Sequence, residues 1–96
     1  MFDDHFKSIT MQQMEALIAL VEEGSFSRAA KRMLLTQPAL TKNIKNAEDC
    51  LGVRIVNRST SGISLTPEGK IIYDYARRMI KLRNEAREKI IALSKN

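Results

Sequence analysis

The stretch SRAAKRMLLTQPALTKNIKNAEDCL, residues 27–51, decides how the rest of the chain is read. It divides at Leu35-Thr36 into two helical patterns. Ala29, Ala30, Met33 and Leu34 give the first an inner side, with Ser27 as its expected N-cap and Arg28, Lys31 and Arg32 pointing outward. The paired alanines are small enough for another helix to pack close. In the second, Thr36 is the expected N-cap, and Gln37 and Pro38 fall in the first turn, where a missing proline N–H does little harm. Leu40, Ile44, Ala47 and Leu51 recur at helical spacing as its buried stripe. Gln37, Thr41, Lys42 and Lys45 lie away from that stripe. A helix built only to cover a core has no need of such an outer face.

Upstream, residues 1–9 read as a loose tail. Thr10 and Gln13 form a capping box for a helix whose face is Met14, Leu17, Ile18 and Val21, stopped by Gly24. Downstream, Val53–Asn57 and Ile63–Thr66 are rich in β-branched residues and flank the polar loop Arg58–Gly62, which predicts a β-hairpin with an exposed tip. Thr66 and Pro67 then cap a last helix that runs unbroken to about Ser94, roughly 40 Å. Its apolar positions are Ile72, Tyr75, Met79, Leu82, Ala86, Ile90 and Leu93. A stripe on a helix too long for the body to cover calls for a partner, and a second copy of the chain is the expected one. The alternative is a helix folded back as a lid on its own domain. The expected fold is mainly α, a winged helix-turn-helix with three helices and a two-stranded wing, followed by a long dimerisation or linker helix. The expected boundaries are a tail over 1–9, the winged helix-turn-helix domain over 10–66 and the linker helix over 67–96.

Composition narrows the function. The 96 residues carry a net charge of +5. Residues 1–27 hold five acidic side chains against Lys7, so the positive charge lies from Arg28 onward, which favours a polyanionic partner. One cysteine excludes an intrachain disulfide. The acidic start MFDDHFKS is no secretory leader, and the longest apolar run, Ala16 to Val21, is far short of the roughly 20 residues that span a bilayer. A cytoplasmic chain without membrane contact is expected. Chemistry has little to work with. His5, the only histidine, sits in the acidic tail, and Cys50 reads as a buried structural thiol. The neighbouring pairs Asp3-Asp4 and Glu22-Glu23 splay apart. No metal-ligand cluster or glycine-rich phosphate loop is present, so neither an enzyme nor a cofactor is expected.

A helix with a polar outer side fits the major groove of double-stranded DNA. There Gln can pair with adenine, Thr can touch a thymine methyl, and Lys can donate to guanine or phosphate. A protein-interaction module or adaptor on the same winged fold is the competing reading.

The string EEGSFSRAAKRMLLTQPALTKNIKNAEDCLGVRIVNRSTSGISLTPEG, residues 22–69, resembles the DNA-binding domain of the LysR-type transcriptional regulators. Its carriers are Gly24-Ser25-Phe26 before the alanine pair, Gln37-Pro38-Ala39, Glu48, Leu51-Gly52, Leu65-Thr66-Pro67 and Gly69. The likeness runs over about residues 10–94. It implies a homodimer joined through the linker helix and bound to an interrupted inverted repeat near promoters. It also implies that Gln37, Pro38, Thr41 and Lys42 meet bases, and that Ser27, Thr36 and Arg58 meet the backbone or minor groove. Arg28, Lys31, Arg32, Lys45, Thr60 and Ser61 are further backbone or wing candidates. Thr41-Lys42 stands where Ser-Arg is common, and Ser61 where the wing often has Arg. Val56 and Ala47 replace larger apolar residues, which implies local repacking. Family members usually continue into a C-terminal effector-binding domain, so a small-molecule effector would act only through a part not present here. Leu93-Ser94-Lys95 reads as a helix end leading onward, which favours a piece of a longer chain over a stand-alone domain.

Overall fold

The computed structural model describes residues 9–59 and 62–95. Helices α1 (Met11–Glu23), α2 (Phe26–Met33) and α3 (Gln37–Leu51) are followed by strands β1 (Val56–Ser59) and β2 (Gly62–Leu65) and by helix α4 (Pro67–Ser94). The winged helix-turn-helix architecture is as the sequence predicts.

Local chemistry sets most boundaries. The Thr10 hydroxyl accepts from the Gln13 N–H at 3.0 Å while Gln13 Oε1 accepts from the Thr10 N–H at 3.1 Å, a closed capping box at the start of α1. Thr36 accepts from the Ala39 N–H at 3.2 Å and opens α3. Gly24 and Gly52 end α1 and α3 in the left-handed region, with φ of 74° and 71°.

Helix α1 is the centre of the body. Ala16, Leu17, Ala19 and Leu20 are buried against Ala29 and Ala30 of α2, Leu40, Ile44 and Ala47 of α3, and Ile55 and Val56. Leu20, Leu40, Ile44 and Ile55 are each less than 2 % exposed. Each contributes roughly 1.5–3 kcal/mol by leaving water. The strands pair antiparallel, Val56 opposite Leu65 and Ser59 opposite Gly62. The first half of α4 lies on α1: Tyr73, Ala76 and Ile80 pack with Met14 and Ile18, and Arg83 bridges to Glu15 at 3.2 Å. Beyond Arg83 every described residue of α4 is exposed. Neither a lid nor a wholly projecting rod describes this helix, since it docks over its first half and extends over its second.

Several expectations are corrected. Ser25, not Ser27, caps α2, accepting from the Arg28 N–H at 3.1 Å; Ser27 lies inside the first turn. Leu34 is not on the inner side of α2. It is the C-cap, left-handed at φ 58°, and 92 % exposed, because the chain reverses there. The first strand begins later than the β-branched run suggests, at Val56 instead of Val53, and the second one residue earlier, at Gly62 instead of Ile63. Arg58 and Ser59, expected in the loop, are in β1. The N–H groups of Ile55 and Val56 do not join a ladder; both donate to the Glu48 carboxylate, at 2.8 and 3.2 Å. Cys50 is half-buried, not buried. Ile9, assigned to the tail, packs against the core. Thr60, Ser61 and His5 lie outside the described residues.

Candidate nucleic-acid interface

The stripe of α3 does what its spacing requires. Leu40, Ile44 and Ala47 are buried, which turns Gln37, Pro38, Lys42, Lys45 and Asn46 to solvent, with Thr41 half-buried beside them. Asn43, on the flank, donates to the Ala39 carbonyl at 3.2 Å, so its amide is engaged within the helix. The exposed face is therefore led by Gln37, Lys42 and Lys45, with Thr41 set back toward the wing.

Between α3 and the wing runs an open groove of about 740 Å³. Thr41, Lys45, Glu48 and Asp49 line one wall; Val53, Arg54, Val56 and Arg58 line the other. Glu48 is tied to the two wing amides and lies 3.9 Å from the Arg54 Nε, so its charge is largely spoken for. Lys45, Arg54 and Arg58 leave the groove cationic on balance. Arg54 was not among the expected contacts. Its position in a β-branched run hid it, because the wall it joins exists only once the hairpin folds back beside α3.

The base of the wing is fixed by a cluster that the sequence quotes as Leu65-Thr66-Pro67 and Gly69. The Thr66 hydroxyl donates to the Arg54 carbonyl at 2.6 Å and accepts from the Gly69 N–H at 2.9 Å. The Thr66 N–H donates to the Ile55 carbonyl at 3.0 Å. Gly69 is buried, and a Cβ there would collide with the Ile55 carbonyl oxygen. Glu48 and Thr66 thus hold the entry strand from two sides, and the wing has one orientation relative to α3.

Helix α2 behaves differently from α3. Arg28 donates to the Glu23 carbonyl at 3.0 and 3.3 Å, which satisfies the end of α1. Arg32 pairs with Glu22 at 2.7 Å and Glu23 at 3.4 Å. The hydrogen bond that Arg32 donates to Glu22 holds the guanidinium above its usual range, against a smaller opposing effect of burial. Two of the three cations of α2 are thereby engaged with α1. Ser27 and Lys31 are exposed, as is the α3 cap Thr36. Along α4, Tyr75, Met79, Leu82, Ala86, Ile90 and Leu93 are exposed, whereas Ile72 packs on its own core. Ile71 and Ile91, 62 and 43 % exposed, join the apolar surface without having been expected there.

The profile of the bacterial regulatory helix-turn-helix proteins of the lysR family matches residues 11–70. The chain belongs to this family. Its architecture is that of the family's DNA-binding domain, a regulator's module and not an enzyme. A probable RuBisCO transcriptional regulator of Phaeodactylum tricornutum is 40 % identical over 84 residues, 88 % of this chain and 27 % of that protein. Among solved structures, the BenM_DBD/catB site 1 DNA complex aligns with a TM-score of 0.86 at 28 % identity, covering 91 % of this chain and 97 % of that one. DarR of Vibrio fischeri in complex with DNA aligns with a TM-score of 0.83 at 31 % identity, covering 92 % of this chain and 30 % of that one. The chain spans about a quarter of the length of the curated relatives it matches. None of its described helices is long and apolar enough to cross a membrane.

Proposed function

We propose that this chain is the operator-binding part of a cytoplasmic transcriptional regulator and binds double-stranded DNA as a homodimer on an inverted repeat. Helix α3 enters the major groove, with Gln37, Thr41 and Lys42 toward base edges and Pro38 toward a thymine methyl. Lys45, Thr36, Ser27, Lys31 and Arg58 follow the backbone. The observation that carries this reading is the division of α3 into an apolar stripe, buried at Leu40, Ile44 and Ala47 and half-buried at Leu51, and an exposed face of Gln37, Lys42 and Lys45 beside a cationic groove. The DNA complexes among its structural neighbours support it.

The exposed apolar positions of α4 beyond the body, led by Leu82, Ile90 and Leu93, supply the pairing surface. The domain division follows the same reading: a DNA-binding body over 10–66 and a linker helix over 67–96. A small-molecule effector would act through a domain outside this chain. Selecting bound sites from a random duplex pool tests the proposal. A two-fold symmetric consensus is expected, with half-sites about one helical turn apart or a multiple of it. An asymmetric consensus, or no enrichment at low salt, would refute it. Lys42→Ala should weaken consensus binding by about 1–3 kcal/mol if Lys42 reads a base; equal loss on random duplex would make it a phosphate contact.

A further inference from the structure

Arg58 projects from β1, and its guanidinium carbon lies 4.6 Å from the centre of the Phe26 ring. Phe26 is the first residue of α2, half-buried and packed partly on the core. The same arginine lines the groove between α3 and the wing, in company with Lys45 and Arg54. The guanidinium therefore sits over the start of α2, while its side chain lines the groove between α3 and the wing. A guanidinium stacked through its face keeps its N–H donors in the plane, directed outward at the edge. Stacking and phosphate binding do not compete for the same atoms.

We propose that Phe26 is a positioning residue for Arg58: its ring holds the arginine fork in the conformation that takes a backbone phosphate. The inference rests on the DNA-binding reading above. Without the ring, a long exposed side chain samples many rotamers, and the fraction poised to bind falls. The apparent dissociation constant rises by the inverse of that fraction. An exposed cation–π contact of about 0.5–1 kcal/mol corresponds to roughly a two- to fivefold change in the population.

The coupling between the two positions tests this. Binding to a random-sequence duplex at low salt is measured for the wild-type chain, Phe26→Leu, Arg58→Ala and the double variant, with thermal unfolding followed alongside. Random sequence suffices because a phosphate contact is indifferent to the bases. Phe26→Leu should weaken binding about two- to fivefold when Arg58 is present and not at all in the Arg58→Ala background. Phe26→Tyr, which keeps a ring face, should bind as wild type. Arg58→Ala should lower the salt slope by about one, whereas Phe26→Leu should leave it unchanged.

An equal loss from Phe26→Leu in both backgrounds would show a ring that merely shapes the body and would overturn the proposal, as would no loss in either. Should Phe26→Leu fail to fold, the wild-type chain answers directly through the relaxation of the Arg58 side-chain N–H. A signal as ordered as the backbone supports the proposal, and a freely mobile one overturns it. Absence of duplex binding by the wild-type chain would refute the DNA-binding reading itself, an outcome distinct from an additive cycle.

Discussion

Gly69→Ala sets two effects against each other, and the structure decides the sign. Alanine is better than glycine in a helix by about 1 kcal/mol, so propensity alone predicts a more stable chain. The geometry predicts the reverse. A Cβ on residue 69 would collide with the Ile55 carbonyl oxygen and sit 3.0 Å from its carbon and 3.2 Å from Ile55 Cγ2. The first of these is backbone, so no rotamer change relieves it. The start of α4 must move off the entry strand, which forces overpacking of about 1–3 kcal/mol. The same movement strains the Thr66 bonds to the Arg54 and Ile55 carbonyls, 2.6 and 3.0 Å long. These contribute about 1 kcal/mol each. Net destabilisation of about 2–4 kcal/mol is expected once the propensity gain is subtracted. Urea unfolding at one protein concentration, held fixed because association shifts the midpoint, should show a fall on the order of 1 M. A midpoint unchanged or raised would refute the close-approach argument.

Glu48→Ala leaves the buried amides of Ile55 and Val56 without their acceptor and should lower stability by about 2–4 kcal/mol, with Glu48→Gln intermediate, both read by the same unfolding assay. Leu34→Asn should stabilise by about 0.5–1 kcal/mol, since a left-handed position at a helix end suits asparagine and Leu34 buries almost nothing; a lower melting temperature would contradict this. Arg32→Ala should leave the salt slope of duplex binding within a few tenths of wild type, because its charge is matched by Glu22 and Glu23; a drop near one would mean that it contacts phosphate. Leu82→Asp should shift the chain toward monomer in sedimentation at micromolar concentration while its circular dichroism is retained.

What the sequence made legible was local. The caps at Thr10, Thr36 and Thr66 depend on residues within three positions, and the stripe of α3 on a fixed period, so both were readable before any tertiary contact was known. On α1 the period found Met14, Leu17 and Ile18, but Val21 is half-buried, and Ala16, Ala19 and Leu20 are buried as well because other elements cover that side of the helix. The misses arose where a distant group overrode a local preference. Ser25 and Ser27 are equally good caps by type. The burial of Ala29 and Ala30 fixes the phase of α2, and only Ser25 then stands at its entry. Leu34 is apolar, yet the tight reversal demands left-handed backbone, and that turns it out. The β-branched Val53–Ile55 run belongs to no ladder, because a carboxylate seven residues before Ile55 takes its amide. At the candidate interface, exposure of Gln37, Lys42 and Lys45 followed from the stripe. The engagement of Arg28 and Arg32 by α1, the contribution of Arg54 to the groove and the stacking of Arg58 on Phe26 join residues from different elements, and no spacing rule contains them.

The bonds that orient the wing run through Glu48, Thr66 and Gly69, none of which lies on the outward side of α3. Gln37, Lys42 and Lys45 in turn support nothing beneath them. Exchanges at those three positions should alter stability by no more than about 0.5 kcal/mol. Target preference can therefore drift, or be re-engineered by swapping a handful of side chains, while the scaffold that presents them stays unchanged.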